Sequence, residues 1–133
     1  MTARIRRGLY AITDTELLAD GKLPEHVGQA IRGGARVIQY RDKQLSPAVR
    51  QHQAAALAEL CNSHGIPLII NDDVALAAAV GADGVHLGEH DRDLQQVRAE
   101  GRLADVLVVD GAGIAHPRRM GLAAMLGIAL ALL

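Results

Sequence analysis

Short apolar runs recur along the chain, each broken by a polar edge and followed by residues of helical period. Gly8-Leu9-Tyr10-Ala11-Ile12-Thr13-Asp14 is the first, an apolar run ending in polar residues that reads as a buried strand. Leu23-Pro24-Glu25-His26 opens a helix, with Pro24 near its first position and Glu25 in its first turn. Val27, Ala30 and Ile31 share one face of it, and Gly33-Gly34 stops it. Ala35 to Tyr40 is the second strand. Ser46 caps the next helix, Pro47 fills its first turn, and it runs to about His64. Val49, Ala56, Leu57, Leu60 and Cys61 fall near one stripe there, and Gly65 closes it. Ile66-Pro67-Leu68-Ile69-Ile70 is a third strand that breaks into Asn71-Asp72-Asp73. Asp72 or Asp73 can cap the helix that runs from Val74 to Gly81. Ala82 to Gly88 gives a fourth strand, then Glu89-His90-Asp91 and a helix near Asp93 to Glu100. Leu103 to Val109 is a fifth apolar run.

Strand, polar edge and helix in repetition predict an α/β fold with parallel strands and right-handed crossovers. An open doubly wound sheet and part of a barrel both satisfy that pattern. No G-x-G-x-x-G follows the first strand, which weakens a dinucleotide site. Short connections, with the polar residues gathered at strand C-termini, favour a (β/α)8 TIM-type barrel, whose C-terminal face carries the site. A full barrel takes about 250 residues. Four to five βα units therefore make a partial barrel. The expected organisation is a single domain, 1–133, with the N-terminal half of a TIM-type barrel over 1–100 and a divergent apolar tail over 101–133. Met120 to Leu133 is a 14-residue apolar stretch with no charged side chain. As a helix it spans ~21 Å, short of the ~30 Å hydrocarbon core, so a buried or self-associating C-terminal helix is expected rather than a membrane span.

Composition narrows the function. Lys plus Arg total 14 and Asp plus Glu total 15, a formal charge of -1, without the basic excess of general nucleic-acid binders. Two Tyr, no Phe and no Trp leave little for base stacking. Cys61 has no partner for an internal disulfide, and no apolar signal follows the basic N-terminus. A cytoplasmic protein with small-molecule substrates is expected, without nucleic acid or membrane as partner.

The candidate chemistry sits at three strand ends. Period-2 alternation places Gln39, Arg41 and Lys43 on one face, if the second strand persists that far. One amide and two cations suit a phosphate or diphosphate. An exposed loop after a strand is the plain alternative. In Asn71-Asp72-Asp73, one aspartate is expected to cap the helix and the other to serve a hard cation such as Mg²⁺, which takes carboxylate, water and phosphate oxygens. Asp91, one strand further, is the second carboxylate, since parallel strands lie about 5 Å apart. His86 inside its apolar strand reads as a core histidine, and His26, His52 and His64 as solvated helix residues. His90 and His116 fit no pattern. No nucleophile–base triad and no cysteine–histidine zinc spacing is present.

These edges together resemble the thiamine-phosphate synthase family. The segments Gly8–Asp14, Gln39-Tyr40-Arg41-Asp42-Lys43, Asn71-Asp72-Asp73 and Gly84-Val85-His86-Leu87-Gly88 with Asp91 come in that family's order and spacing, over roughly residues 8 to 100. The resemblance implies a barrel transferase of thiamine biosynthesis. It joins hydroxymethylpyrimidine diphosphate to hydroxyethylthiazole phosphate and releases pyrophosphate by a dissociative route. It also implies substrate-binding roles for Gln39, Arg41, Lys43 and Asn71, Mg²⁺ at Asp72 and Asp91, and no catalytic side chain. The related thiazole tautomerase would lack much of the diphosphate and metal set, which favours the synthase. Glu89 stands where the synthase pattern has glutamine.

The tail departs from the family. Residues 101–133 contain no serine, threonine or lysine, so they cannot supply the fifth-strand serine or the later Thr-x-Thr-Lys stretch. A truncated or frameshifted synthase is the expectation, weak or inactive alone. The alternatives are a non-catalytic half-barrel that binds the pyrimidine diphosphate or pairs with another subunit, and a tautomerase-like relative. Self-association through exposed sheet edges and the apolar tail is also expected.

Overall fold

Local chemistry marks where each helix begins and ends. The computed structural model describes residue 6, residues 8–16 and 18–87, and the backbone of 106–109. The elements are β1 (Leu9–Ile12), α1 (Leu23–Arg32), β2 (Ala35–Tyr40), α2 (Pro47–Ser63), β3 (Leu68–Asn71), α3 (Val74–Val80), β4 (Gly84–Leu87) and β5 (Val106–Val109). In α1, Pro24 fills the first turn beside Glu25, and Arg32 lies in the last turn, charges suited to the helix dipole. Ser46 caps α2 in extended geometry and accepts the Val49 N–H at 3.4 Å. Asp73 caps α3 and accepts the Leu76 N–H at 2.8 Å. Gly81 then ends α3 in the left-handed region, at φ 66°, which glycine adopts without a Cβ clash.

The five strands pair in sequence order, β1-β2-β3-β4-β5, and every pair is parallel. A doubly wound sheet reverses its strand order at a switch point. This order has none, so the helices wind the sheet in one direction as in a barrel wall. The fold is α/β, a partial TIM-type barrel.

Alternation sorts the strand residues between two faces. Ile38 and Tyr40 of β2, with Leu68 and Ile70 of β3, pack against Leu57, Cys61 and other residues of the helices. Gln39 and Asn71 fall on the opposite parity and are buried as well. On α2 the buried positions are Ala54, Leu57 and Cys61. Val49 is exposed, contrary to the stripe read from the sequence, because it lies in the first turn beside the β1–α1 loop rather than over the sheet. Burial pushes the Cys61 thiol up to about 12, and the charge of Asp83 adds to the effect.

β1 also corrects an expectation. Leu9 is 60% and Ile12 55% exposed, so the strand is not buried. Among the described residues it pairs only with β2, and of its side chains only Ala11 packs on the helix-side core. The expected helix near Asp93 to Glu100 and the apolar C-terminal helix lie outside the described residues. No helix among the described residues is long and apolar enough to cross a membrane.

Candidate anion and cation site at the strand ends

β2 ends at Tyr40, so Gln39, Arg41 and Lys43 do not share a strand face. At Arg41 the chain turns into a loop held by side chains. The Thr13 hydroxyl accepts the Arg41 N–H at 2.9 Å. The buried Asp42 carboxylate accepts the Leu45 N–H at 3.0 Å, the Gln44 N–H at 3.3 Å and the Thr15 hydroxyl at 2.5 Å. Burial raises the pKa of this carboxyl, but these hydrogen bonds and the charge of Arg50 outweigh it and hold Asp42 below the usual value. The Asp42 carboxylate thus organises the loop that carries Arg41 and Lys43.

Gln39 is fully buried on the sheet. Its amide nitrogen lies 2.7 Å from Tyr10 Oη and 2.7 Å from His86 Nδ1. Gln39 donates to the Tyr10 hydroxyl and lies within hydrogen-bond distance of the His86 ring. His86, read from sequence as a core histidine, is therefore joined to a candidate site residue.

At the β3 end the structure assigns the helix cap to the second of the two aspartates. Asp73 caps α3, while Asp72 stands in the left-handed region at φ 64°, with its N–H donated to the His86 carbonyl at 2.8 Å. A non-glycine residue held there carries about 1–3 kcal/mol of strain, a cost that clusters at binding sites. Lys43 Nζ lies 3.4 Å from Asp72 Oδ2. Both residues line a cavity of about 420 Å³ with Asp42, Arg50, Asn71 and Asp73.

The structure brings Lys43, Asn71 and Asp72 to one cavity. Arg41 lines a neighbouring one of about 200 Å³, which it shares with Lys43. Gln39 lies apart on the sheet, and Asp91 lies outside the described residues. Among the described residues no group of three ligating side chains surrounds a metal position. Asp42 and Asp73 are committed to amides and to Arg50, which leaves Asp72 and the Asn71 amide as oxygen donors at the cavity. That donor set suits a hard cation, which keeps several waters and takes phosphate oxygens. Sequence reasoning missed Arg50, which reaches Asp42 and Asp73 from the first turn of α2. One signal for it was available: a cation at a helix N-terminus opposes the dipole and needs acidic partners.

The fold and cavity together define a class: a TIM-type α/β wall with a mixed-charge cavity at the carboxyl ends of its strands. Comparisons with known proteins specify it further. A family model described as Thiamine monophosphate synthase matches residues 9–110. The thiamine-phosphate synthase of Alcanivorax borkumensis is 50% identical over 91 residues, 68% of this chain and 42% of that protein. That of Nitrosococcus oceani is 49% identical over 92 residues, 69% of this chain and 42% of that protein. A solved structure, thiamine phosphate pyrophosphorylase from Pyrococcus furiosus, superposes with a TM-score of 0.62 at 28% identity. That match covers 90% of this chain and 67% of the other. The chain belongs to the thiamine monophosphate synthase family, and it spans about two fifths of the length of these curated relatives.

A second family model, described as Endonuclease V, matches residues 89–133. The match spans about a third of the chain and overlaps the first over residues 89–110.

Proposed function

We propose that this chain carries the pyrimidine-diphosphate half of a thiamine-phosphate synthase site. The reaction joins hydroxymethylpyrimidine diphosphate to hydroxyethylthiazole phosphate and releases pyrophosphate. The observation that carries the proposal is the Lys43–Asp72 pair, at 3.4 Å, in a cavity large enough for a diphosphate. Lys43 and Arg41 supply cations to the diphosphate, and Asn71 adds an amide. Gln39, its amide nitrogen held by Tyr10 and His86, keeps its amide oxygen for the polar heterocycle. Asp72 and Asp91 would hold Mg²⁺, which would supply charge neutralisation for the leaving diphosphate. A dissociative reaction needs this neutralisation more than it needs a base, so no side chain is assigned general-base work.

The presence of Arg41, Lys43, Asn71 and Asp72 favours the synthase over the tautomerase relative. The absence of serine, threonine and lysine from 101–133 favours a second reading for the isolated chain, a binding half without turnover. The exposed apolar side chains of β1 support self-association, and the single cysteine supports a cytoplasmic setting. Incubation of the purified chain with both substrates and Mg²⁺ tests the first reading through pyrophosphate release. Weak or absent turnover is expected from this chain alone, alongside Mg²⁺-dependent binding of the pyrimidine diphosphate. Robust turnover contradicts the half-site account, and absence of both turnover and binding contradicts the site.

A further inference from the structure

We infer that Arg50 is a positioning residue that sets the spacing of Lys43 and Asp72; the inference rests on the diphosphate site proposed above. The argument begins with charge. The cavity is lined by three aspartates, Asp42, Asp72 and Asp73, and by two cations, Lys43 and Arg50. Unsorted, three carboxylates would repel a diphosphate. Arg50 sorts them. Its Nε lies 3.6 Å from Asp42 Oδ2, and its Nη2 lies 3.5 Å from Asp73 Oδ2. Two of the three acids are thus engaged by one guanidinium, whose single positive charge offsets half of theirs, and Asp72 is left to face Lys43.

Geometry adds a second role. Asp42 is the chain neighbour of both Arg41 and Lys43, and Asp73 is the chain neighbour of Asp72. By holding Asp42 and Asp73, Arg50 ties the β2–α2 loop to the β3–α3 loop. The tie is anchored at both ends. Asp42 is fixed by the Leu45 and Gln44 amides and the Thr15 hydroxyl, and Asp73 by the Leu76 amide. The planar guanidinium fork can serve two carboxylates at fixed spacing, whereas a lysine ammonium is a single point charge. Arg50 Nε is buried, and at 3.6 Å its contact with Asp42 is an ion pair rather than a hydrogen bond.

Charge and positioning predict opposite results for two substitutions. Arg50→Lys keeps the charge and loses the fork. Asp73→Asn keeps a capping side chain and removes an acid from beside the anion. A pure charge effect leaves pyrophosphate affinity unchanged in the first and tightens it in the second. Positioning weakens both. Titration of the full chain with inorganic pyrophosphate in magnesium buffer is expected to show at least fivefold weaker binding in each variant, with Lys43→Met as reference. Arg50→Lys within twofold of the parent, with Asp73→Asn tighter and Lys43→Met weakened, overturns the inference and leaves the diphosphate site standing. If the parent does not bind pyrophosphate, the diphosphate site fails, and amide exchange decides the role of Arg50. Exchange at Gln44 and Leu45 at least fivefold faster in both variants supports the tie between the loops, and unchanged exchange overturns it.

Discussion

Lys43 and Asp72 face each other at 3.4 Å across two loops, with side chains 60% and 35% exposed. An exposed pair of this kind contributes about 0–1 kcal/mol to stability. It is therefore easily opened, as the proposed site requires if the ammonium is to turn to an anion and the carboxylate to a cation. Lys43→Met is expected to change unfolding free energy by less than about 1 kcal/mol. The same change should weaken diphosphate binding about tenfold or more, on the scale of a lost charge-assisted contact. Chemical denaturation and calorimetry on one preparation check both halves.

Asp72 and Asp73 should separate cleanly. Asp73→Ala removes the α3 cap and is expected to cost about 1 kcal/mol of stability. Asp72→Asn keeps a side chain that tolerates the left-handed conformation and should change stability by less than about 0.5 kcal/mol. Only Asp72→Asn should lose the Mg²⁺ dependence of diphosphate binding. Equal effects of both changes on that dependence would refute the division of roles.

The helix-side core predicts a contrast along α2. Leu57 is fully buried, and Leu57→Ala should cost about 2–5 kcal/mol. Val49 is 43% exposed, and Val49→Ala should cost less than about 1 kcal/mol despite its place on the apolar stripe of the sequence. Urea unfolding midpoints report the difference.

Stability should fall at high pH. The folded chain holds the Cys61 proton up to about 12, against an ordinary value of 9.0, because the thiol is buried and lies near Asp83. Burial, with the charge of Asp42 beside it, likewise pushes Tyr40 from 10.0 to about 12. A raised value means the folded state keeps protons that the unfolded chain releases. This contribution is complete below pH 9 and is lost as pH rises toward about 12. Cys61→Ala should flatten the early part of that fall, and an unchanged fall would assign it elsewhere. At the acid end, Asp42 is held below the ordinary value of 3.8, so its contribution is present above that pH and disappears as pH drops through the folded value.

Features with a local cause were legible in the sequence. The β2 boundaries, Ala35 and Tyr40, follow from the turn glycines and the onset of charge. The α2 start follows from Ser46-Pro47, and an aspartate cap on α3 from the need of a helix for one cap. Features set by distant neighbours were not legible. Gln39 meets Tyr10 and His86 across sequence separations of 29 and 47 residues, which no short-range pattern encodes. The exposure of β1 depends on its place at the sheet edge, and its apolar run looks the same as that of a buried strand. A shared face for Gln39, Arg41 and Lys43 required β2 to persist to Lys43, whereas Asp42 turns the chain by accepting the loop amides that would have continued the strand.

The central claim is that Lys43 and Asp72 hold a diphosphate together with Mg²⁺. Calorimetric titration of the chain with hydroxymethylpyrimidine diphosphate, with and without Mg²⁺, tests it most directly. Binding that requires Mg²⁺ and weakens about tenfold or more in Lys43→Met is the predicted result. Binding that is absent, or that is indifferent to both the metal and Lys43, would contradict it.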